Sequence, residues 1–518
     1  MKLAVRTGGR TRECEARAGE SVLDIIQREG IVVDAPCGGA GTCGKCTVLV
    51  SDAGGTSYRL ACQTPVRDGM AVAVDNAAPL SVCLGGAFSP WPADGQPGTF
   101  GLAFDIGTTT VAARLHDLGT GEVLAALGAP NPQLSFGADV ITRIGRCEGG
   151  GLSVMERLIG EKLVALAGEL VHAARVDGAA ISRAAIAGNT TMLHIAAGMS
   201  PASIGVSPFT PLSLFGSEID YEPFKKAGIA RGRALFAPCI SGYVGGDISC
   251  GILAAGVARA ARPVLFLDLG TNGEMALGSR EGILTCAAAA GPVFEGANIK
   301  HGMPAYEGAI SKVRFAPAGD VECEVIGGGE AVGICGTGLI DAMALLVRFG
   351  LVDETGRMAA PGELDDVRED TGIEVPGALA ARIGEEDGAP AFRLSGGISI
   401  TQKDVRNFQL AKAAVCAGIE TMLDEAGVAG SDIERLVIAG GFGEYLDVGS
   451  AAAAGLFPRE LADRAQVVGN SALEGASAIL LSHDARAELS QVVGKTSYLE
   501  LSGNPAFNER YVEDMLFE

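Results

Sequence analysis

"VLFLDLGTNGEMAL", Val264–Leu277, reads as an apolar strand that ends at Asp268, turns through Gly270-Thr271-Asn272 and sets off again as a second strand. The same order stands earlier in "GLAFDIGTTTVAARL", Gly101–Leu115, where Asp105 lies 163 residues ahead of Asp268. The physical task is legible. A carboxylate closing a strand, followed by a Gly-Thr tip that exposes N–H and hydroxyl donors, suits a phosphate chain with hydrated Mg²⁺. One such hairpin alone is a common turn; two in duplicated context say more. A third stretch, "RLVIAGGFGEYL" (Arg435–Leu446), carries an apolar strand into Gly440-Gly441. Bare backbone there lets a flat purine or its ribose lie close.

Strands alternate with longer helices from about residue 100 onward, the pattern of βα units. A chain of 518 residues is too long for one ordinary core, so two or three domains are expected. Apolar residues make up 48% and aromatics 5%, which predicts a core of Ala, Val, Leu and Ile. The 75 glycines have no three-residue period and so imply tight turns, not a fibre. A net charge of −22 sets phosphate repulsion against any nucleic-acid partner. The start "MKLAVRTGGRTREC" has no apolar core of a secretion signal, and no run of membrane-spanning length occurs. A cytoplasmic chain without a membrane span is expected.

Nine of the thirteen cysteines stand singly and are expected to be small buried residues. The other four, Cys37, Cys43, Cys46 and Cys62, are spaced C-x5-C-x2-C-x15-C, the first three within "DAPCGGAGTCGKCTVLV". Structural zinc usually takes two C-x2-C knuckles, and only one is present. The glycine-rich intervals favour iron–sulfur, because a loop wrapping a cluster must aim backbone N–H groups at its sulfurs. Ahead of it, "KLAVRT" and "RECEARA" flank a Gly-Gly turn as a hairpin. "SVLDIIQREG" follows as a short helix with Ser21 as N-cap and Gly30 as its stop. Residues 81–100, rich in Gly and Pro and holding the only Trp, Trp91, read as a linker.

Hairpin, helix and cysteine loop together resemble the β-grasp [2Fe–2S] ferredoxins over residues 1–80, in the relatives with five residues in the first gap. The ordered phosphate hairpins and double glycine resemble the actin, sugar kinase and Hsp70 superfamily (ASKHA), over 101–262 and 263–518. "AAIAGNTTMLHIAAG" (Ala184–Gly198), "ISGYVGGDISCGILAAG" (Ile240–Gly256), "AAAAGPVFEGANIKHGMPA" (Ala287–Ala305), "GICGTGLIDAMALL" (Gly333–Leu346), "LSGGISITQKDVRNFQLAKAA" (Leu394–Ala414) and "VGNSALEGAS" (Val468–Ser477) sharpen that match. The whole resembles the ATP-dependent reductive activators of corrinoid proteins. The fold class implied is an α+β β-grasp [2Fe–2S] domain followed by a duplicated α/β actin-like ATPase. The extra middle domain that some members carry after the ferredoxin is not expected here, since about 20 residues are available for it.

What this resemblance implies is a one-electron reduction of a corrinoid protein from Co(II) to Co(I), with an upstream electron donor, serving a methyltransferase system; a homodimer is common in such activators. Cys37, Cys43, Cys46 and Cys62 are then the cluster ligands. Asp105, Gly107, Thr108 and Thr109 face the ATP phosphates and Mg²⁺ from one subdomain, and Asp268, Gly270, Thr271 and Asn272 from the other. Gly440, Gly441 and Glu444 border the adenosine. Asp105, Asp268 and Glu274 compete as the water-activating group, with Asp268 favoured; Glu274 and Glu444 also read as solvated turn carboxylates. The Gly327-Gly328-Gly329 and Gly336-x-Gly338 stretches read as packing turns. His194 and His301 lie near the motifs, and ordinary core or surface histidines are the default. Lys403, Arg406 and Lys412 read as a solvated helix face. Rival readings are an activator of another low-potential enzyme, a small-molecule kinase fused to a ferredoxin, and a nucleotide-gated module without turnover.

Overall fold

The computed structural model describes residues 1–74, 83–86, 88–441 and 445–517. They form two compact units: Met1–Ala78, Pro90–Ser249 and Gly475–Ala487 in one, and Pro79–Ser89, Cys250–Glu474 and Glu488–Glu518 in the other.

The first unit opens on a five-stranded sheet in the order Arg10–Glu15, Lys2–Thr7, Met70–Val74, Thr47–Asp52, Gly55–Leu60. Lys2–Thr7 pairs antiparallel with Arg10–Glu15 and parallel with Met70–Val74, as in a β-grasp. Alternation puts Leu3, Val5, Val48, Val50 and Val72 on one face. Leu23, Ile25 and Ile26 of the helix Val22–Arg28 join the same core, and none of the eight is more than 2% exposed. Ser21 caps that helix in a reciprocal box with Asp24, an arrangement worth about 1 kcal/mol. Gly30 stops it at φ +66°, and a Cβ there would come 2.5 Å from Leu158 Cδ2.

Two six-stranded sheets, one centred in each unit, share a five-stranded topology, and each adds its sixth strand at a different edge. In the first, Phe100–Ile106, Thr110–Asp117 and Val123–Pro130 form an antiparallel meander. Ile181–Gly188 then lies parallel beside Phe100–Ile106, and Arg233–Phe236 parallel beside Ile181–Gly188. In the second, Val264–Leu269, Gly273–Ser279 and Gly282–Ala288 make the meander. Arg435–Gly440 and Ala465–Gly469 add the two parallel strands. Each central strand is buried along nearly its whole length and therefore reads as a continuous apolar run rather than an alternation. Asp105 and Asp268 both occupy the penultimate position of that strand. Two three-stranded sheets, Ala309–Phe315 with its neighbours and Ile383–Glu386 with its neighbours, complete the second unit.

Two local expectations fail for packing reasons. Gly336-x-Gly338 is no turn: it opens the helix Gly336–Arg348, and a Cβ on Gly338 would stand 2.4 Å from the Ile310 carbonyl. Lys412 leaves the solvated face expected of the helix Gln402–Ala426. It is 3% exposed, donates to the Leu516 carbonyl and lies 4.8 Å above the Phe517 ring. Gly327, Gly328 and Gly329 do form a turn, all with φ between 75° and 86°. Of the nine single cysteines, Cys83 and Cys323 are half-buried and the rest buried.

Burial lowers the His116 imidazole to about 4, with the Gly121 carbonyl opposing and Arg114 assisting; its Nε2 lies 3.0 Å from Ser477 Oγ. An unfolded histidine titrates near ~6.5, so the unfolded chain takes up a proton that the folded one refuses. Stability is therefore full above that value and falls with pH, by about 2 kcal/mol at pH ~5 from this group alone. Urea melts of wild type and His116→Gln at neutral and mildly acid pH should show the variant losing less on acidification.

Candidate functional site

The loop from Asp34 to Cys46 and the short turn Ala61–Gln63, which carries Cys62, gather the four selected sulfurs into two close pairs. Cys43 Sγ lies 3.3 Å from Cys37 Sγ, and Cys46 Sγ lies 3.4 Å from Cys62 Sγ. Gly38, Gly39, Gly41 and Gly44 all hold positive φ, between 60° and 102°, which bends the backbone around the thiols at no Cβ cost. Burial pushes the Cys37 thiol up. The Cys43 N–H, the Cys43 thiol and the N–H groups of Thr42 and Gly39 outweigh it and bring Cys37 down to about 6. Burial, and next the Cys46 thiol, hold Cys62 up at about 11. Backbone donors aimed at a sulfur, within a set of four soft ligands, fit a [2Fe–2S] cluster.

In the first Asp-x-Gly-Thr hairpin Thr108 is nearly buried, and its Oγ1 accepts from Asn189 Nδ2 at 3.1 Å. The carbonyls of its tip are occupied from below. Gly107 accepts from Asn131 Nδ2 at 2.8 Å, Thr108 from Arg143 Nη2 at 2.6 Å, and Thr109 from the Asn131 N–H at 2.9 Å. Asp105 pairs across the sheet with Ala112 and Ala187.

In the second hairpin Asp268 faces Glu274 across the antiparallel pair and Ala439 across the parallel one. Thr271 Oγ1 donates to Glu295 Oε2 at 3.0 Å, and Asn272 Nδ2 donates to Glu274 Oε1 at 3.2 Å. The Gly270 N–H donates to the Asn272 carbonyl at 3.0 Å, closing the turn. Glu274 is 9% exposed on its strand, so it is no solvated turn carboxylate. Gly440 holds φ +108°, and a Cβ there would meet the Leu269 carbonyl at 2.3 Å and Asp268 Oδ1 at 3.0 Å. The second hairpin and the first residue of the double glycine are thus adjacent, and only glycine fits. Among the described residues nothing stands within 4 Å of a Cβ on Gly441, and Glu444 lies outside the described residues.

His194 is a satisfied core histidine. Its Nδ1 lies 2.7 Å from the Thr190 carbonyl, its Nε2 accepts the Ser213 N–H, and burial lowers its pKa. His301 sits half-buried, 3.6 Å from Glu386. Asn131, Arg143, Asn189 and Glu295 support the hairpins without having been singled out by spacing. Asn189 lay within the Gly-Asn-Thr-Thr turn, at the N-cap of the helix Thr190–Ala196, and Glu295 within the stretch Ala287–Ala305.

Three family profiles tile the chain. One for 2Fe-2S iron-sulfur cluster binding domains matches residues 5–67, one for the RACo middle region matches 100–260, and one for the C-terminal ASKHA domain of RACo matches 262–518. The corrinoid activation enzyme RamQ of Eubacterium limosum is 34% identical over 427 residues, covering 81% of this chain and 70% of that one. The [Co(II) methylated amine-specific corrinoid protein] reductase of Methanosarcina barkeri is 26% identical over 459 residues, covering 81% and 77%. Among solved structures, a reductive activator for corrinoid, iron-sulfur protein superposes with a TM-score of 0.70 at 30% identity, covering 99% of this chain and 98% of that one. Among the described residues no helix is long and apolar enough to cross a membrane.

Proposed function

Because the chain belongs to the family of reductive activators of corrinoid proteins, we propose how its parts divide that work: the cysteine loop delivers one electron to a Co(II) corrinoid protein and the actin-like units make the delivery ATP-dependent. The observation that carries this is one chain holding both the paired sulfurs and the two Asp-x-Gly-Thr hairpins. Held by Cys37, Cys43, Cys46 and Cys62, a [2Fe–2S] cluster supplies one-electron transfer. Asp105, Gly107, Thr108 and Thr109, with Asp268, Gly270, Thr271 and Asn272, bind the phosphates and Mg²⁺ of ATP. Gly440 and Gly441 admit the adenosine, and Asp268 orients the attacking water.

Reduction of Co(II) to Co(I) is uphill from ordinary donors, each ~59 mV of deficit costing about 1.4 kcal/mol. The protein offsets that deficit by binding the corrinoid protein in a state where the cobalt is poorly ligated, and nucleotide turnover then releases the partner. In the same reading the protein works in the cytoplasm as a homodimer fed by an upstream electron donor, and its domains divide at residues 80, 100 and 262. The test mixes the reduced protein, ATP and Mg²⁺ with a Co(II) corrinoid protein and follows the visible spectrum. Co(I) should accumulate only when ATP is present; equal rates without nucleotide, or phosphorylation of an added small acceptor instead, would sink this reading.

A further inference from the structure

We propose that residues 131–146 of the first unit form a strut joining the phosphate hairpin to the cysteine loop, so that nucleotide occupancy and cluster oxidation state influence each other, with Arg143 and Arg146 as its positioning residues. The inference rests on the reading above, in which that hairpin binds ATP and those sulfurs hold the cluster.

At the hairpin end, three consecutive carbonyls, Gly107, Thr108 and Thr109, accept from Asn131 and Arg143. Arg143 is fully buried, and its Nε also donates to the Gly137 carbonyl at 3.0 Å. A guanidinium in that position cannot drift, because leaving its acceptors strands a charge in an apolar interior. At the other end the strut meets the loop by backbone. The Ala138 N–H donates to the Pro36 carbonyl at 3.2 Å, one residue before Cys37. A Cβ on Gly38 would stand 2.5 Å from the Phe136 carbonyl, so the two chains touch with no room for a side chain. Ser135, buried, donates to the Ile31 carbonyl and accepts the Val33 N–H. Arg146 Nη2 donates to Gln27 Oε1 at 3.1 Å and lies 3.3 Å from the Cβ position of Gly39.

Arg143 and Arg146 are three residues apart on the helix Val140–Arg146 and so project from neighbouring positions of one rigid turn. A shift of the hairpin tip therefore moves the helix that abuts the cysteine loop, with no flexible segment between to absorb it. The sign follows from charge. Reduction adds a negative charge at the loop and ATP brings several at the hairpin, while one short helix carries a guanidinium toward each end, Arg143 toward the hairpin and Arg146 toward the loop. Each event weakens the other, and linkage makes the effect equal in both directions.

The test measures binding of the β,γ-imido analogue of ATP with Mg²⁺ to oxidised and reduced holoprotein, and the cluster's midpoint potential with and without it. The oxidised form should bind about fivefold more tightly. Saturating analogue should correspondingly lower the potential by about 40 mV. In Arg146→Met, which leaves the buried guanidinium in place, the ratio should fall below about twofold while the cluster spectrum persists. Arg143→Lys, retaining the charge but not the forked donors, carries the same expectation should Arg146→Met lose the cluster. Equal affinities in both states, or a ratio untouched by both variants, overturn the strut and leave the functional reading standing. Absence of analogue binding in either state overturns both.

Discussion

Cys43→Ala should abolish electron delivery to the corrinoid protein while ATP binding persists, changed by no more than about tenfold. Cys43 supplies one of four sulfurs, and its backbone N–H is the leading donor to Cys37, whose Sγ lies 3.3 Å from its own. Losing an outer-shell partner of a metal centre typically costs ~10–100-fold, and removing a ligand costs more. The iron and sulfide content and the visible absorption of the purified variant should fall with the activity. Nucleotide binding survives because Asn131, Arg143 and Asn189, which bond the first hairpin, lie outside the cysteine loop. A variant that keeps full cluster absorption, or loses nucleotide binding as well, contradicts this assignment.

Asp268→Asn should lower ATP-dependent stimulation by about 10²–10⁴-fold, the range for removing a group that handles a proton in the transition state. The cluster spectrum should not change. Asparagine keeps the shape that fits beside Gly440, where Asp268 Oδ1 stands 3.0 Å from the Cβ position, so the loss reports charge rather than packing. Glu274 is the internal comparison, since it faces Asp268 across the sheet but already accepts from Asn272. A larger loss in Glu274→Gln than in Asp268→Asn would transfer the role. If the Cys43 and Asp268 variants each lose both functions, electron delivery and nucleotide turnover are not separable in this chain.

The hairpins were legible because their signal is local: an apolar strand, a carboxylate, a glycine and hydroxyls within ten residues, written twice. The capped helix at Ser21 and the cysteine loop were legible for the same reason. The strut was not. Asn131, Gln133, Ser135 and Arg143 are each completely buried, yet along the chain they read as an ordinary polar loop around Pro132. Their partners lie up to ~100 residues away, so only tertiary packing reveals that these polar groups are interior, where such groups must be bonded. Lys412 misled in the converse way, because a lysine's long apolar stem permits burial when a carbonyl waits for its ammonium. Gly336-x-Gly338 misled because glycine spacing marks close backbone approach as readily as a turn.

The three tip carbonyls of the first hairpin all turn toward Asn131 and Arg143, which gives the hairpin a definite polarity. Oxygen dipoles that would repel an incoming polyanion are directed inward and neutralised by amide and guanidinium. On the proposed reading, that inward polarity is what lets the tip receive a polyanion before any side chain of the rim takes part.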